Sequence, residues 1–245
     1  MTLRATSATA RRVLLQLRND PRTIALLIVV PAVLLVLLRY VFDARGEVFQ
    51  HIGAPMCGLF PFVLMFLVTS IAMLRERTSG TLERLMSLPL AKADVLAGYG
   101  LAFGLVAIVQ ASVVCGVGFV FLGLNAPHGV WLVAVLAIAN ALLGTALGLF
   151  VSAFARTEFQ AVQFMPAVVF PQFLLCGLFV ARDDMAALLD WISWALPLTY
   201  AFDALQRATT SDALGAAVVW DVVAVVVATL ASVGLGALTL RRRTS

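Results

Sequence analysis

The chain has 245 residues, 62% of them hydrophobic and only 12% charged, with a mean hydropathy of +1.02. Soluble domains carry about 25% charged residues, and no stretch here is polar enough to hold one. A large soluble α/β domain is therefore excluded, and a single membrane domain over 1–245 is expected. The net charge of +4 sits at the ends of apolar runs, so it concerns membrane topology and not nucleic-acid binding.

Residues 1–22 read as a basic amphipathic helix. At about 100° per residue, Arg4, Arg11, Arg18 and Arg22 share one stripe while Leu3, Ala10, Val13, Leu14 and Leu17 gather on another face. Such a helix lies in the cytoplasmic interface with its apolar face among acyl chains. The plainer alternative is a solvated leader. Asn19-Asp20-Pro21 ends the element and turns the chain into a first span. Arg11-Arg12 is separated from the apolar run by Arg18, Asp20 and Arg22, with no small-residue cleavage site after it, so a removable signal is not expected.

A hydrocarbon core about 30 Å thick takes about 20 residues of helix. On that scale six spans are expected, at 23–41, 54–74, 95–124, 130–153, 161–180 and 217–240. The run from Val95 to Ala155 is 61 residues without Asp, Glu, Lys or Arg, and is read as two spans broken at Asn125-Ala-Pro-His-Gly129. Of the 17 positive charges, 13 fall in the N-terminal segment, the 75–94 loop, at Arg156 and at the C-terminal end. Only Arg39, Arg45, Arg182 and Arg207 fall in the alternate segments. The positive-inside rule places the 13, and both termini, in the cytoplasm, as an even number of spans requires.

The loop at 75–94 carries a short helix. Thr78, Ser79, Gly80 and Thr81 offer caps, Glu83 suits a first turn, and Leu82, Leu85 and Met86 recur at helical spacing before Pro89. A helix with one apolar face at the membrane surface fits a groove on a partner, and fits equally a seat on its own protein. In the segment 181–216, Leu188–Leu198 is apolar enough to dip back into the outer leaflet with Trp191 and Trp194 at headgroup depth. That segment is either an external gate or an interfacial belt without a transport role. Phe60, Phe62 and Phe66 on the second span, with Phe164, Phe170 and Phe173 on the fifth, are candidates to line a cavity for a flat amphipathic molecule. The alternative for each is a face against lipid or a neighbouring helix.

Two stretches carry a family resemblance. The pattern Glu76-Arg-x-x-Gly80-Thr81-Leu82-Glu83-x-Leu85-x-x-x-Pro89 resembles the loop after the second span of ABC transporter permeases of the type-2 membrane family. Phe170-Pro171, Cys176-Gly177 and Trp194-Ala-Leu-Pro197-Leu-Thr-Tyr200 resemble that family's fifth span and extracellular return, with Cys176 where Ser is usual and Leu196 where Asn is frequent. The daunorubicin-resistance-like drug-efflux permeases are the most similar group. The resemblance implies an all-α polytopic permease with six transmembrane helices, an N-terminal interfacial helix, a cytoplasmic coupling helix and an extracellular re-entrant hairpin. It makes Glu76, Gly80, Thr81, Leu82, Glu83, Arg84 and Leu85 the ATPase-coupling residues, and Pro197 and Tyr200 part of an extracellular gate. It draws the substrate pathway from the second and fifth spans. It also implies two partners, a separate nucleotide-binding ATPase subunit and a second permease copy or paralogue.

The sequence has no Gly-x-x-x-x-Gly-Lys-Ser/Thr loop, so ATP and its Mg²⁺ are expected on the partner subunit and no cofactor on this chain. Gly98, Gly100, Gly104 and the pair Gly144 and Gly148 are read as small residues for close helix approach. Cys57, Cys115 and Cys176 lie in apolar spans and are odd in number, which suits small buried hydrophobes and not a disulfide framework. The acids of 181–216 lack ligand spacing, so no metal site is expected. Sixteen Arg against one Lys suggest a high-GC bacterial genome and a bacterial cytoplasmic membrane. The expected function is export of a hydrophobic, drug-like or lipid-like compound, with no catalytic residue. A membrane-embedded enzyme needs clustered His and acids, whereas His51 and His128 lie far apart in the chain. A non-transporting assembly factor is the other alternative. Spans two to five hold no acid or base for a proton relay.

Overall fold

The computed structural model describes residues 3–81, 92–210 and 215–239. Every regular element among them is helical. These are α1 (Leu3–Arg18), α2 (Pro21–Val41), α3 (Gly46–Thr78), α4 (Lys92–Gly116), α5 (Val130–Val151), α6 (Glu158–Leu175), α7 (Ala187–Ser193), α8 (Pro197–Thr210) and α9 (Ala216–Thr239). A π turn at Val117–Phe121 prolongs α4, and a 3-10 turn lies at Arg182–Asp184. Five segments among the described residues are long and apolar enough to cross a membrane: Pro21–Val41, Gly46–Thr78, Ala97–Phe121, Val130–Val151 and Ala216–Thr239.

The stretch expected as a fifth span, 161–180, is not among them. α6 is helical only to Leu175, and Gln160, Gln163, Gln172, Pro166 and Pro171 dilute its apolar character. α3 departs in the other direction. Its 33 residues make a rod of about 50 Å, well beyond the apolar stretch 54–74 and longer than a hydrocarbon core. The loop expected at 75–94 therefore begins with a further helical turn.

Local chemistry sets the helix ends. Asp20 caps α2: its Oδ1 accepts from the Thr23 amide at 3.2 Å and its Oδ2 from the Thr23 hydroxyl at 2.7 Å, with Pro21 in the first turn. These bonds hold the Asp20 carboxyl below its ordinary pKa. Between α4 and α5 the chain leaves the helix after Phe121, as the turn residues at 125–129 predict. Gln50 pins this break, donating to the Gly123 carbonyl at 2.8 Å and accepting from the Asn125 amide at 2.9 Å.

α1 is seated on protein. Thr9, Ala10 and Val13 are buried, and Val13 packs with Val95, Tyr99 and Ala102 of α4. A Cβ on Gly98 would lie 2.5 Å from the Thr9 Cβ, so the two helices meet at that glycine. The expectation that this face lies among acyl chains is therefore corrected at Ala10 and Val13, although Leu3 and Leu15 remain exposed. Beneath α1, α2 contains Pro31, which has no N–H to offer the Leu27 carbonyl four residues back. Gln110 of α4 supplies the missing donor, with Nε2 2.8 Å from that oxygen.

The tightest contact pairs α3 with α5. A Cβ on Gly144 would stand 2.3 Å from the Phe62 carbonyl oxygen, and one on Gly148 would stand 2.5 Å from that of Phe66. Both obstacles are backbone, which cannot swing aside. Phe62 and Phe66 are fully buried in this seam. Gly144→Leu should therefore force the helices apart and lower stability by about 3 kcal/mol or more, read as a fall in the melting temperature of the detergent-solubilised protein. Gly100→Ala, in a helix interior where a Cβ meets nothing within 4 Å, should not lower that temperature and should raise it slightly.

Candidate functional site

Successive residues on a helix point about 100° apart, and at the C-terminal foot of α3 three of them use that to reach three different helices. Arg75 makes a bidentate pair with Glu158 of α6, Nε to Oε1 at 2.6 Å and Nη2 to Oε2 at 2.9 Å. Glu76 is buried and accepts from Arg12 at 3.1 Å and from Gln16 at 3.3 Å, both on α1. Arg12 also bonds the Tyr99 hydroxyl of α4. Arg77 donates to the Thr239 hydroxyl of α9 at 3.3 Å.

Directly after this foot, Gly80 has φ +72°, a left-handed backbone that favours glycine and ends α3. The Thr81 hydroxyl lies 2.9 Å from that of Ser79. Leu82, Glu83, Arg84 and Leu85 lie outside the described residues. A cavity of about 960 Å³ opens beside the foot, between α1, α2, α3 and α4. Apolar residues such as Leu26, Leu67 and Phe103 line its deeper part, while Asp20, Arg75 and Glu76 line its polar end.

The six candidate phenylalanines divide into groups. Phe60, Phe170 and Phe173 line one apolar cleft of about 200 Å³ with Leu34, Val63 and Val169, where α2, α3 and α6 converge. Phe62 and Phe66 do not line it; both side chains are fully buried, and their backbone carbonyls lie at the α5 seam. Phe164 is half-buried and packs by Leu74 and Ala161 near the foot of α3.

At the opposite end of α3 the chain folds into the short helices α7 and α8. Pro197 opens α8, and Tyr200 donates to the Trp194 carbonyl at 2.7 Å, the two rings meeting edge to face at 6.3 Å. Thr199 donates to the Ser193 carbonyl at 2.8 Å, which ties α8 back to α7. Beneath lies a chain of four charges that the sequence reading did not assemble. Arg182 bonds Asp203 at 2.6 Å and stacks over Trp194 at 4.6 Å. Arg207 lies 3.9 Å from Asp203 and 3.4 Å from Asp221 of α9. The spacing Asp203 to Arg207 is i,i+4 and was open to sequence reading, as was Asp221, an acid inside an apolar run. Among the described residues no group of three potential metal ligands occurs.

Burial pushes the Asp203 carboxyl up to about 6, with Arg182 opposing it. A carboxyl whose folded pKa lies above its ordinary 3.8 binds its proton more tightly in the folded state, so its contribution to stability grows as pH falls between about 6 and 3.8. Wild type should accordingly gain on Asp203→Asn in thermal unfolding as pH is lowered through that range, with a constant gap above neutrality. A gap that never changes would mean an acid titrating as if exposed. Arg182→Gln leaves Asp203 with only the more distant Arg207 and should cost about 3 kcal/mol near neutral pH.

The sequence matches the family described as "ABC-2 type transporter" over residues 4–209. It is 25% identical to "ABC transporter G family member 20" of Dictyostelium discoideum over 166 residues, 67% of this chain and 22% of that protein. Against "Probable multidrug ABC transporter permease YbhR" of Escherichia coli K12 the identity is 25% over 179 residues, 73% of this chain and 48% of that one. "Inner membrane transport permease YhhJ" of the same strain is 28% identical over 163 residues, 64% of this chain and 42% of that one. The chain thus spans between about a fifth and about half the length of these relatives. With a match running from α1 through α8 and several helices suited to a bilayer, this membrane protein belongs to the ABC-2 type transporter family.

Proposed function

We propose that the chain is the transmembrane subunit of an ATP-driven exporter that moves a hydrophobic or amphipathic, drug-like or lipid-like compound across the bacterial cytoplasmic membrane. The observation that carries this is the family match over 4–209, together with relatives whose names describe multidrug and inner-membrane transport permeases. In this reading α6 serves as a sixth span, at 18 residues about 27 Å long and close to the thickness of a hydrocarbon core. Both termini are cytoplasmic, so the foot of α3 faces the cytoplasm and the α7–α8 pair forms the re-entrant outer gate.

ATP and Mg²⁺ belong to a separate ATPase subunit, paired with two permeases that are identical or paralogous. The segment after Gly80 seats in that ATPase. A push there reaches α6 through Arg75, α1 and α4 through Glu76 and Arg12, and α9 through Arg77. Rigid tilting of these helices exchanges inward- and outward-facing states. The cleft of Phe60, Phe170 and Phe173 is the apolar part of the pathway.

A pull-down of the tagged chain from its native membrane tests the reading. A stoichiometric nucleotide-binding subunit, lost on joint substitution of Leu82, Glu83 and Leu85, is the expected result, and a clean preparation without one would overturn it. Glu83→Arg and Gly80→Trp should each reduce ATP-driven transport at least tenfold in vesicles while insertion stays normal. Undiminished transport with either would remove this loop from the coupling role.

A further inference from the structure

A second cleft, of about 220 Å³ and open to the side, lies between α1, α2 and α4; it shares Leu17 and Leu27 with the cavity beside the foot of α3 and no residue with the phenylalanine cleft. Its walls are mostly apolar, from Leu14 and Leu17 of α1, Ile24 and Ile28 of α2, and Leu105 and Val109 of α4, with Gln110 the one polar wall residue. The exposed Arg18 forms part of its rim. Among the described residues Arg18 belongs to none of the six ion pairs. The carboxylate nearest to it in sequence, Asp20, is occupied by Thr23. The exposed Arg11 and Arg22 add positive potential on the same side of α1 and at the start of α2.

The depth of the cleft is informative. The span Pro21–Val41 begins three residues after Arg18, and Ile24 and Ile28 lie in its first two turns. A guanidinium thus stands at headgroup level while apolar walls descend from it for about one turn of each helix. Gln110 already donates its Nε2 to the Leu27 carbonyl, so beyond Arg18 the walls offer a soluble anion little to bind. A neutral amphiphile would leave the guanidinium unpaired. An amphiphile with an anionic head and an acyl chain satisfies both halves at once.

We propose that this cleft binds one anionic phospholipid, with its phosphate on Arg18 and an acyl chain between α1, α2 and α4; the assignment rests on the membrane placement proposed above. The lipid braces α1 against α2 and α4, in the position from which Arg12 reaches Glu76 and Tyr99. α1 then becomes a lipid-dependent part of the coupling face.

The test uses the full chain in nanodiscs of phosphatidylcholine with a minority of phosphatidylglycerol, and counts retained lipids by native mass spectrometry. One retained phosphatidylglycerol is expected. Retention should fall about fivefold in Arg18→Gln, the weight of one basic side chain at an anionic surface. It should also fall in Leu105→Trp, which fills the cleft and keeps the charge. Arg11→Gln removes an arginine that adds potential but does not line the cleft, and should lower retention much less than Arg18→Gln. Equal losses from Arg11→Gln and Arg18→Gln would reduce the effect to general attraction and overturn the site. So would unchanged retention in Arg18→Gln, or equal retention of phosphatidylcholine. The measurement needs neither ATPase nor transport, so its failure is separate from failure of the exporter reading, which the copurification decides.

Discussion

The carbonyl oxygens of Phe62 and Phe66 meet α5 with no side chain between the two backbones, because Gly144 and Gly148 present only hydrogen there. Inside a bilayer, lipid tails are as apolar as leucine, so helices gain little from hiding greasy surface and must associate through close van der Waals contact. Small residues at this seam permit that contact over more than a turn. α3 is then held as a fixed mast, and the rest of the bundle is referred to it. α5 lies along its middle, α6 and α8 pack beside it, and both charged faces form at its two ends.

Magnitudes separate the contacts made at those ends. The Arg75–Glu158 pair has good bidentate geometry, but both side chains are more than half exposed, and exposed pairs contribute about 0–1 kcal/mol. It can be broken and remade at little cost, as the rigid tilting proposed above requires of this link. Glu76 differs in kind. Its side chain is only 11% exposed and serves two donors, so removing Arg12 would leave a buried carboxylate short of partners at a cost of several kcal/mol. At this end of α3, α1 is thus tied by a buried carboxylate, and α6 by an exposed ion pair added to its apolar packing.

Some of this organisation was legible in the sequence because it is local. The Asn19-Asp20-Pro21 turn, the break at 125–129 and the small-residue pair Gly144 and Gly148 each depend on chemistry within a few residues, and each is found in the fold. Helical periodicity also held information that was not used. Phe62 and Phe66 are four apart and share a face, while Phe60 lies about 200° around from Phe62, so one cavity could not receive all three. The span expected at 161–180 runs past the helix end at Leu175, because a charge-free run does not register the three glutamines and two prolines of α6. Other contacts were beyond local reading. Arg12 and Glu76 are 64 residues apart and Arg182 and Asp203 are 21 apart, and nothing in a single chain's pattern pairs them.

α9 completes the argument, since it touches both charged faces. Asp221, near its start, answers Arg207 under the α7–α8 pair, and Thr239, at its end, answers Arg77 at the foot of α3. The two contacts are 18 residues apart, about 27 Å along a helix without proline. In the exporter reading proposed above, a helix of that length carries an axial displacement from Arg77 to Asp221 with little bending, while Val225 and Gly236 keep it packed on the bundle between them. Asp221 sits inside an apolar helix, where an unpaired acid would be costly, and that cost keeps Arg207 beside it. Arg207 in turn is placed between Asp203 and Asp221, so a shift of α9 redistributes one guanidinium between two carboxylates that Arg182 only partly neutralises. In that reading the two ends of the molecule are linked by a hydrogen bond at Arg77, an ion pair at Asp221 and one continuous helix between them.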